Sequence, residues 1–411
     1  MERISVDSQQ GAAKAKNRYM PQYARALAIA ACGMMIFAGL PVMAKGDVAG
    51  IGSRIAATVA FVLAAGVVWW LEYRSKRNEH CKKQPRKEGF DWGMHYFRAF
   101  AIVLIMAMHY CASFGYDGIV NGLLHSSTIY FLFISGYLCQ YIDSRRRDRP
   151  LAYYRKKLLN VICPFLLFSL LFGMMKGIAG FNGEFLANVL CGRVQGQYWY
   201  IPFVAGLFLI SPWLCRLDAR GITIVAIASL FAFLLFPIRP AGFAIAWPHT
   251  FYLYTYFSFF YIIGFVYCRY KANIDLELCR YRWVVYGAAL LAAGMLWWAP
   301  MCGLKFPDYA FAVGLQKFII IVAVVQLLSA LKDKKIWMLD KLAKYSFTLY
   351  FIHYGVFAQT HGIHDSLLAV MPLPPMWADT IAFALYVTVL LLAAIVVKTA
   401  LGRYSRWLIG S

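Results

Sequence analysis

Long apolar runs, separated by short polar stretches, recur along most of this chain. A helix needs about 20 apolar residues to cross the hydrocarbon core of a bilayer, and shorter runs suffice when flanking residues reach the interface. Twelve runs can be read, at 25–44, 53–71, 97–113, 123–142, 158–175, 199–214, 222–237, 250–268, 283–299, 309–331, 345–359 and 378–401. None alternates with the period of two that a strand requires. The pattern predicts an all-α polytopic membrane protein of about twelve transmembrane helices. It divides into a basic tail at 1–24, two helices within 25–72, a basic linker at 73–91 and a ten-helix membrane domain at 92–406. Residues 1–22 are polar and basic, unlike a cleavable signal peptide, so the first apolar run is expected to stay in the membrane.

Composition agrees with that layout. Of 411 residues, 61% are hydrophobic and 15% are charged, against about 25% charged in a soluble domain. The net charge of +22 raises nucleic-acid binding as an alternative. That would need a basic face on a folded domain, and no segment between the apolar runs is long enough to form one. The charge is better explained by topology, because Lys and Arg are retained on the cytoplasmic side. With the N-terminus inside, about 33 of the 41 Lys and Arg fall on that side. The outer loops keep few, namely Lys45, Arg54, Arg193, Arg239 and Lys305. Both termini are therefore expected in the cytoplasm. The ten cysteines are scattered, with no CxxC pair and no Cys/His cluster of zinc spacing, so they read as small core residues and no metal is expected.

Ionisable residues inside apolar runs are costly and mark functional paths. Arg98 and His109 lie eleven positions apart in HYFRAFAIVLIMAMHYCAS. That is about three helical turns, so both leave one face, roughly 16 Å apart along the axis. Arg98 then sits at the cytoplasmic mouth and His109 near mid-membrane. Ser135 falls at about 12 Å depth, and Tyr350 and His353 at about 9 and 14 Å. Lys317 lies deep in the tenth run from the outer side, where it either binds an anionic group, pairs with a carboxylate or snorkels. Each has a plainer role. Arg98 is placed as a topology anchor, Ser135–Gly136 as a close helix contact with Gly136 above all for packing, Tyr350 as a packing residue, and His353 as a hydrogen-bond partner of a neighbouring helix.

Taken together, these motifs resemble the integral-membrane acyltransferase-3 family. Its Arg-x10-His pair matches Arg98 and His109, and its phenylalanine-rich Ser-Gly motif matches FLFISGYL at 131–138. The basic cluster that runs to a proline resembles YYRKKLLNVICP at 153–164, and the tryptophan-led span resembles YWYIPFVAGLFLISP at 198–212. The late Ser-aromatic-x-x-Tyr-x-x-His pattern matches SFTLYFIH at 346–353. The resemblance covers about residues 92–406 and leaves the first two helices outside. The chain departs from the family at His95, where an aspartate is common, and at Asn160, where a further basic residue is common.

The resemblance implies a stand-alone O-acyltransferase in the bacterial cytoplasmic (inner) membrane. It implies transfer of an acyl group, acetyl first among the candidates, from acyl-CoA to a hydroxyl of a cell-envelope glycan or lipid-linked precursor. Acyl-CoA acts as co-substrate, and no tightly bound cofactor is expected. The donor is a polyanion, which suits Arg98, Arg155, Lys156 and Lys157 at the inner mouth. His109 is assigned as general base; covalent carriage of the acyl group on His109 is the alternative, and the sequence does not separate the two. Arg98 is placed with it in catalysis, and Ser135, Tyr350, His353, Trp199 and Lys317 are assigned to substrate positioning. Membrane lipids are the other partners expected. The opposed class is a transporter or exporter of a glycan or small molecule, which twelve helices with inside termini would also fit. A transporter should carry internal repeats, and none is visible; a small-molecule-binding resistance module is the third class. The outer loops at 177–197 and 362–377 are expected to choose the acceptor because of their length and exposure.

Overall fold

The computed structural model describes residues 90–146, 150–178, 183–235, 247–301, 309–371 and 375–410. The tail, the two N-terminal helices and all but the last two residues of the linker lie outside them. The described residues belong to one unit, Gln84–Ser411, and their regular structure is helix alone.

The helices run α1 Trp92–Ser113, α2 Thr128–Arg146, α3 Pro150–Lys157, α4 Cys163–Met175, α5 Gly183–Leu190, α6 Tyr200–Arg216 and α7 Ala219–Leu235. They continue as α8 Trp247–Arg280, α9 Arg282–Met301, α10 Tyr309–Ser329, α11 Trp337–Gln359, α12 His361–Val370, α13 Pro375–Leu401 and α14 Ser405–Leu408. Five helical runs are long and apolar enough to cross a membrane: Trp92–Ser113, Gly122–Ile142, Leu151–Met175, Tyr309–Ser329 and Trp377–Leu408. Three shorter apolar helices accompany them, Tyr200–Arg216, Ala219–Leu234 and Arg282–Leu296.

Several helices extend past their apolar runs, for local reasons. α1 starts early because Asp91 caps it, its carboxylate accepting from the Met94 N–H at 3.1 Å. α11 begins at Trp337 because the Tyr96 hydroxyl takes the Ile336 N–H at its start and donates to the Lys334 carbonyl at 2.6 Å. α8 runs on to Arg280 beyond a non-helical residue at Tyr270. Its polar end is held by Lys271, which pairs with Asp275 at 2.6 Å and with Asp91 at 3.4 Å. Charge pairs, not apolar content, stabilise these turns, so hydropathy alone does not reveal them. Short helices α5 and α12 fill what the sequence presents as outer loops.

Two helix pairs form the centre, α2 along α8 and α1 along α11. Between lipid-exposed helices the hydrophobic effect gives little drive, so close van der Waals approach matters more. At the α2–α8 crossing the approach is made by glycines from both sides. A Cβ on Gly136 would collide with the Tyr261 carbonyl, and one on Gly264 would collide with the Phe133 carbonyl and lie 2.7 Å from the Tyr137 nitrogen. The packing role expected for Gly136 is met there. Polar contacts tie α1 to α11, with His95 Nε2 3.0 Å from Asp340 Oδ1. His95, which stands where an aspartate is common, thus has its carboxylate on the neighbouring helix.

Candidate active site

α1 is unbroken from Arg98 to His109, so the two side chains do share a face, and that face packs on α11. The Arg98 guanidinium donates to Ser346 Oγ at 3.1 Å. Three turns further on, the His109 ring centroid lies 5.1 Å from that of His353 and 5.0 Å from that of Tyr354. His353 is fully buried, and its Nδ1 lies 2.9 Å from the Leu349 carbonyl. A carbonyl only accepts, so Nδ1 carries the hydrogen and Nε2 presents a lone pair. Nε2 has no hydrogen-bond partner among the described residues.

His109 opens on a cavity of about 290 Å³. Of the residues expected from sequence, Trp199 and Tyr350 line it with His109. Most of the wall is apolar, including Ile105, Met108, Leu253 and Phe257. Polar residues not singled out in the sequence also line it, among them Gln197, His125, Ser126 and Thr128. Gln197 is buried, and neither atom of its side-chain amide has a hydrogen-bond partner among the described residues. Its backbone carbonyl accepts from the Tyr350 hydroxyl. His125 Nδ1 and Ser126 Oγ lie 2.9 Å apart, and Ser126 has a φ of +58°, uncommon for a residue with a side chain.

Lys317 does not line this cavity. It is fully buried, and its ammonium donates to the Leu123 carbonyl and, at 2.9 Å, to Gln316 Oε1. The Gln316 amide nitrogen lies 2.9 Å from both the Gly122 and the Ala292 carbonyls. Gly122 and Leu123 belong to a π-helical turn, Val120–Leu124, that leads directly into His125 and Ser126. Lys317 therefore meets carbonyls, not a carboxylate, and holds the turn that leads to the cavity.

The basic residues gather elsewhere, around two adjoining cavities. One, of about 500 Å³, is lined by Arg155, Lys156, Asn160, Arg406 and Trp407. The other, of about 330 Å³, is lined by Cys139, Lys156, Lys157, Asn160 and Arg406. Lys156, Asn160 and Arg406 border both, and no carboxylate lines either among the described residues. Lys157 also sits over the Phe208 ring, 3.6 Å from its centroid. Arg406 was legible only as one more charge at the chain's end. The turn that carries it is held by Thr348 Oγ1, which donates to the Ile409 carbonyl at 2.8 Å.

Neither basic cavity shares a lining residue with the His109 cavity. Between them stands a row of side chains on α2, α6 and α11. Ser135 is one helical turn from Cys139, and its Oγ is 3.2 Å from the Tyr200 hydroxyl. The Tyr200 and Tyr350 rings meet at 5.7 Å. The structure thus brings His109, His353, Trp199 and Tyr350 together, joins Ser135 to them through Tyr200, and keeps Arg155, Lys156 and Lys157 in a separate group.

A family model described as an acyltransferase domain matches residues 91–402 of the chain. No curated protein and no solved structure matches it.

Proposed function

The chain belongs to the acyltransferase-3 family, and on that premise we propose that it moves an acyl group, acetyl first among the candidates, from cytosolic acyl-CoA to a hydroxyl of a cell-envelope glycan or lipid-linked glycan precursor. It does so as a ten-helix membrane domain with two further N-terminal helices, in a bacterial cytoplasmic membrane, with both termini inside. The observation that carries the proposal is the pair of imidazoles, His109 and His353, beside a cavity walled mainly by apolar groups. Such a cavity surrounds a reactive acyl group with apolar walls, and few of its groups can take a proton.

The geometry supports the following chemistry. A hydroxyl attacks a thioester only as its proton leaves, and a neutral imidazole at this position can take it. The His353 ring, with its Nδ1 hydrogen held by the Leu349 carbonyl, stands against the His109 ring and helps fix its position. The acceptor oxygen bonds to the acyl carbon, the C–S bond breaks, and the thiolate leaves with the proton that His109 took. Arg155, Lys156, Lys157 and Arg406 supply positive charge for the phosphates of the donor, whose pantetheine arm then enters along α2 past Cys139 towards Ser135 and Tyr200. Guanidinium suits phosphate through paired N–H bonds. Arg98 holds α1 against α11 at Ser346 and adds positive charge at the same end.

The test is transfer of label. Membranes carrying the wild-type protein or His109→Ala are incubated with radiolabelled acetyl-CoA and total envelope glycans. Label should enter the glycan fraction with wild type and fall at least a hundredfold with His109→Ala, consistent with the usual contribution of a general base. Full transfer by a folded His109→Ala protein removes His109 from the mechanism. No transfer by folded wild-type protein with any acyl-CoA turns attention to glycan export.

A further inference from the structure

Gln197 is 2% exposed, yet its amide nitrogen and amide oxygen both lack a hydrogen-bond partner among the described residues. Buried polar groups in folded proteins are nearly always paired, and an exception calls for an explanation. The exception here lines the same cavity as His109. His125 and Ser126 face that cavity too, but they are hydrogen-bonded to each other.

The backbone that carries Gln197 is firmly held. The Tyr350 hydroxyl takes its carbonyl, and the next residue, Tyr198, donates to the Phe351 carbonyl at 3.1 Å. Lys176 holds the Val194 carbonyl at 2.8 Å. Gly192, at a φ of +66°, lets the turn close, since a Cβ there would lie 2.7 Å from the Trp199 nitrogen. An amide with free donors on a fixed backbone, in a residue that lines a mainly apolar cavity, meets the requirement for stabilising charge that develops on a carbonyl oxygen.

We propose that the Gln197 side-chain amide donates to the acyl carbonyl oxygen during transfer. This rests on acyl transfer as the function. When the acceptor oxygen bonds to the acyl carbon, the carbonyl π pair moves onto its oxygen, and the Gln197 N–H groups receive that negative charge. When the C–S bond breaks, the carbonyl re-forms, the bonding pair leaves with sulfur, and the proton on His109 passes to the thiolate. Gln197 exchanges no proton and no electrons.

Gln197→Leu keeps a branched side chain, one atom shorter, and removes both donors, and Gln197→Glu keeps its shape but, when ionised, presents only acceptor oxygens. In the labelled acetyl-CoA assay with envelope glycans, both should lower kcat by about a hundred- to a thousandfold, the usual loss for one oxyanion donor. The KM for acetyl-CoA should stay within about threefold of wild type, because the ground-state carbonyl is a weak acceptor. The thermal midpoint of Gln197→Leu should equal or exceed that of wild type, since an unpaired buried amide is replaced by an apolar group. A structural role gives the opposite pattern: a lower midpoint with kcat kept in whatever protein stays folded. Transfer within threefold of wild type by either variant, with His109→Ala inactive, overturns the assignment of Gln197 alone. Loss of transfer in neither wild type nor His109→Ala, or transfer in neither, removes acyl transfer through His109 and this proposal with it.

Discussion

Replacing Gly136 with alanine tests how the centre of the domain is held. Gly136 on α2 faces the backbone of α8, and its added methyl would collide with the Tyr261 carbonyl and sit 2.9 Å from that carbonyl carbon. The obstruction is backbone, so no side-chain rotation relieves it. The helices must part locally, and overpacking of this kind costs about 1–3 kcal/mol. Alanine also returns about 1 kcal/mol of helix propensity relative to glycine, so a net loss of up to about 2 kcal/mol is expected. Gly264→Ala meets the same crossing from the other side, against the Phe133 carbonyl. Once α2 and α8 have parted for one methyl, the second has more room, so the double variant should lose less than the sum of the singles by about 0.5–1 kcal/mol. Gly287→Ala in α9 is the control, because nothing lies within 4 Å of a Cβ there. Thermal unfolding of purified protein in detergent should lower the midpoint for both crossing variants and leave or raise it for the control. Transfer should fall in Gly136→Ala as well, since Ser135 and its contact with Tyr200 move with the backbone. A midpoint for Gly136→Ala no lower than that of Gly287→Ala, or strict additivity of the pair, would refute the crossing as drawn.

Arg406→Ala should weaken binding of CoA, measured by calorimetry, by about ten- to a hundredfold, the range for losing one charge-assisted hydrogen bond; Arg406→Lys should recover only part, because an ammonium lacks the paired fork. Unchanged affinity in Arg406→Ala, with a loss in Arg155→Ala, would leave Arg406 out of the donor site. Gln316→Leu leaves the Gly122 and Ala292 carbonyls without their donor, so about 1–3 kcal/mol should be lost for each that stays unpaired. The π-helical turn should loosen with it, which hydrogen exchange over residues 120–126 would register as lost protection, and unchanged protection there would show that Gln316 does not hold the turn.

Much of the helical framework is legible as apolar run length, and the face shared by Arg98 and His109 follows from their spacing alone. The ends are not, because they depend on contacts between distant segments. The early start of α11 needs Tyr96, and the polar end of α8 needs Lys271 beside Asp91 and Asp275. The site divides in the same way. His109 and Tyr350 stand out because ionisable or polar groups are rare in apolar runs. Gln197 lies in a polar stretch between runs, where nothing marks a buried side chain, and its burial comes from a turn closed by Gly192, Lys176 and Tyr350. Arg406 is masked by the topology rule, which accounts equally well for every cation that the sequence places on the inner side.

The positions of the other expected site residues have a common form. Ser135 reaches the cavity through Tyr200, Tyr350 pins the carbonyl of Gln197, Lys317 acts on the π-helical turn ahead of His125, and His353 stands behind His109. Apart from Tyr350, which itself lines the cavity, each is a partner of a residue nearer to it, held by a hydrogen bond or a ring contact that a membrane interior makes costly to lose. Such an arrangement suits the function proposed above, in which the site keeps its geometry between a polyanionic donor and a hydroxyl acceptor. It also sets what substitution reveals. Truncation of Tyr350 frees the carbonyl of Gln197, so a loss of rate there does not make Tyr350 a group that touches substrate. The separation requires the pair: if Tyr350→Phe and Gln197→Leu act through one hydrogen-bonded unit, the double variant should be no slower than Gln197→Leu alone, whereas independent contacts with substrate would multiply.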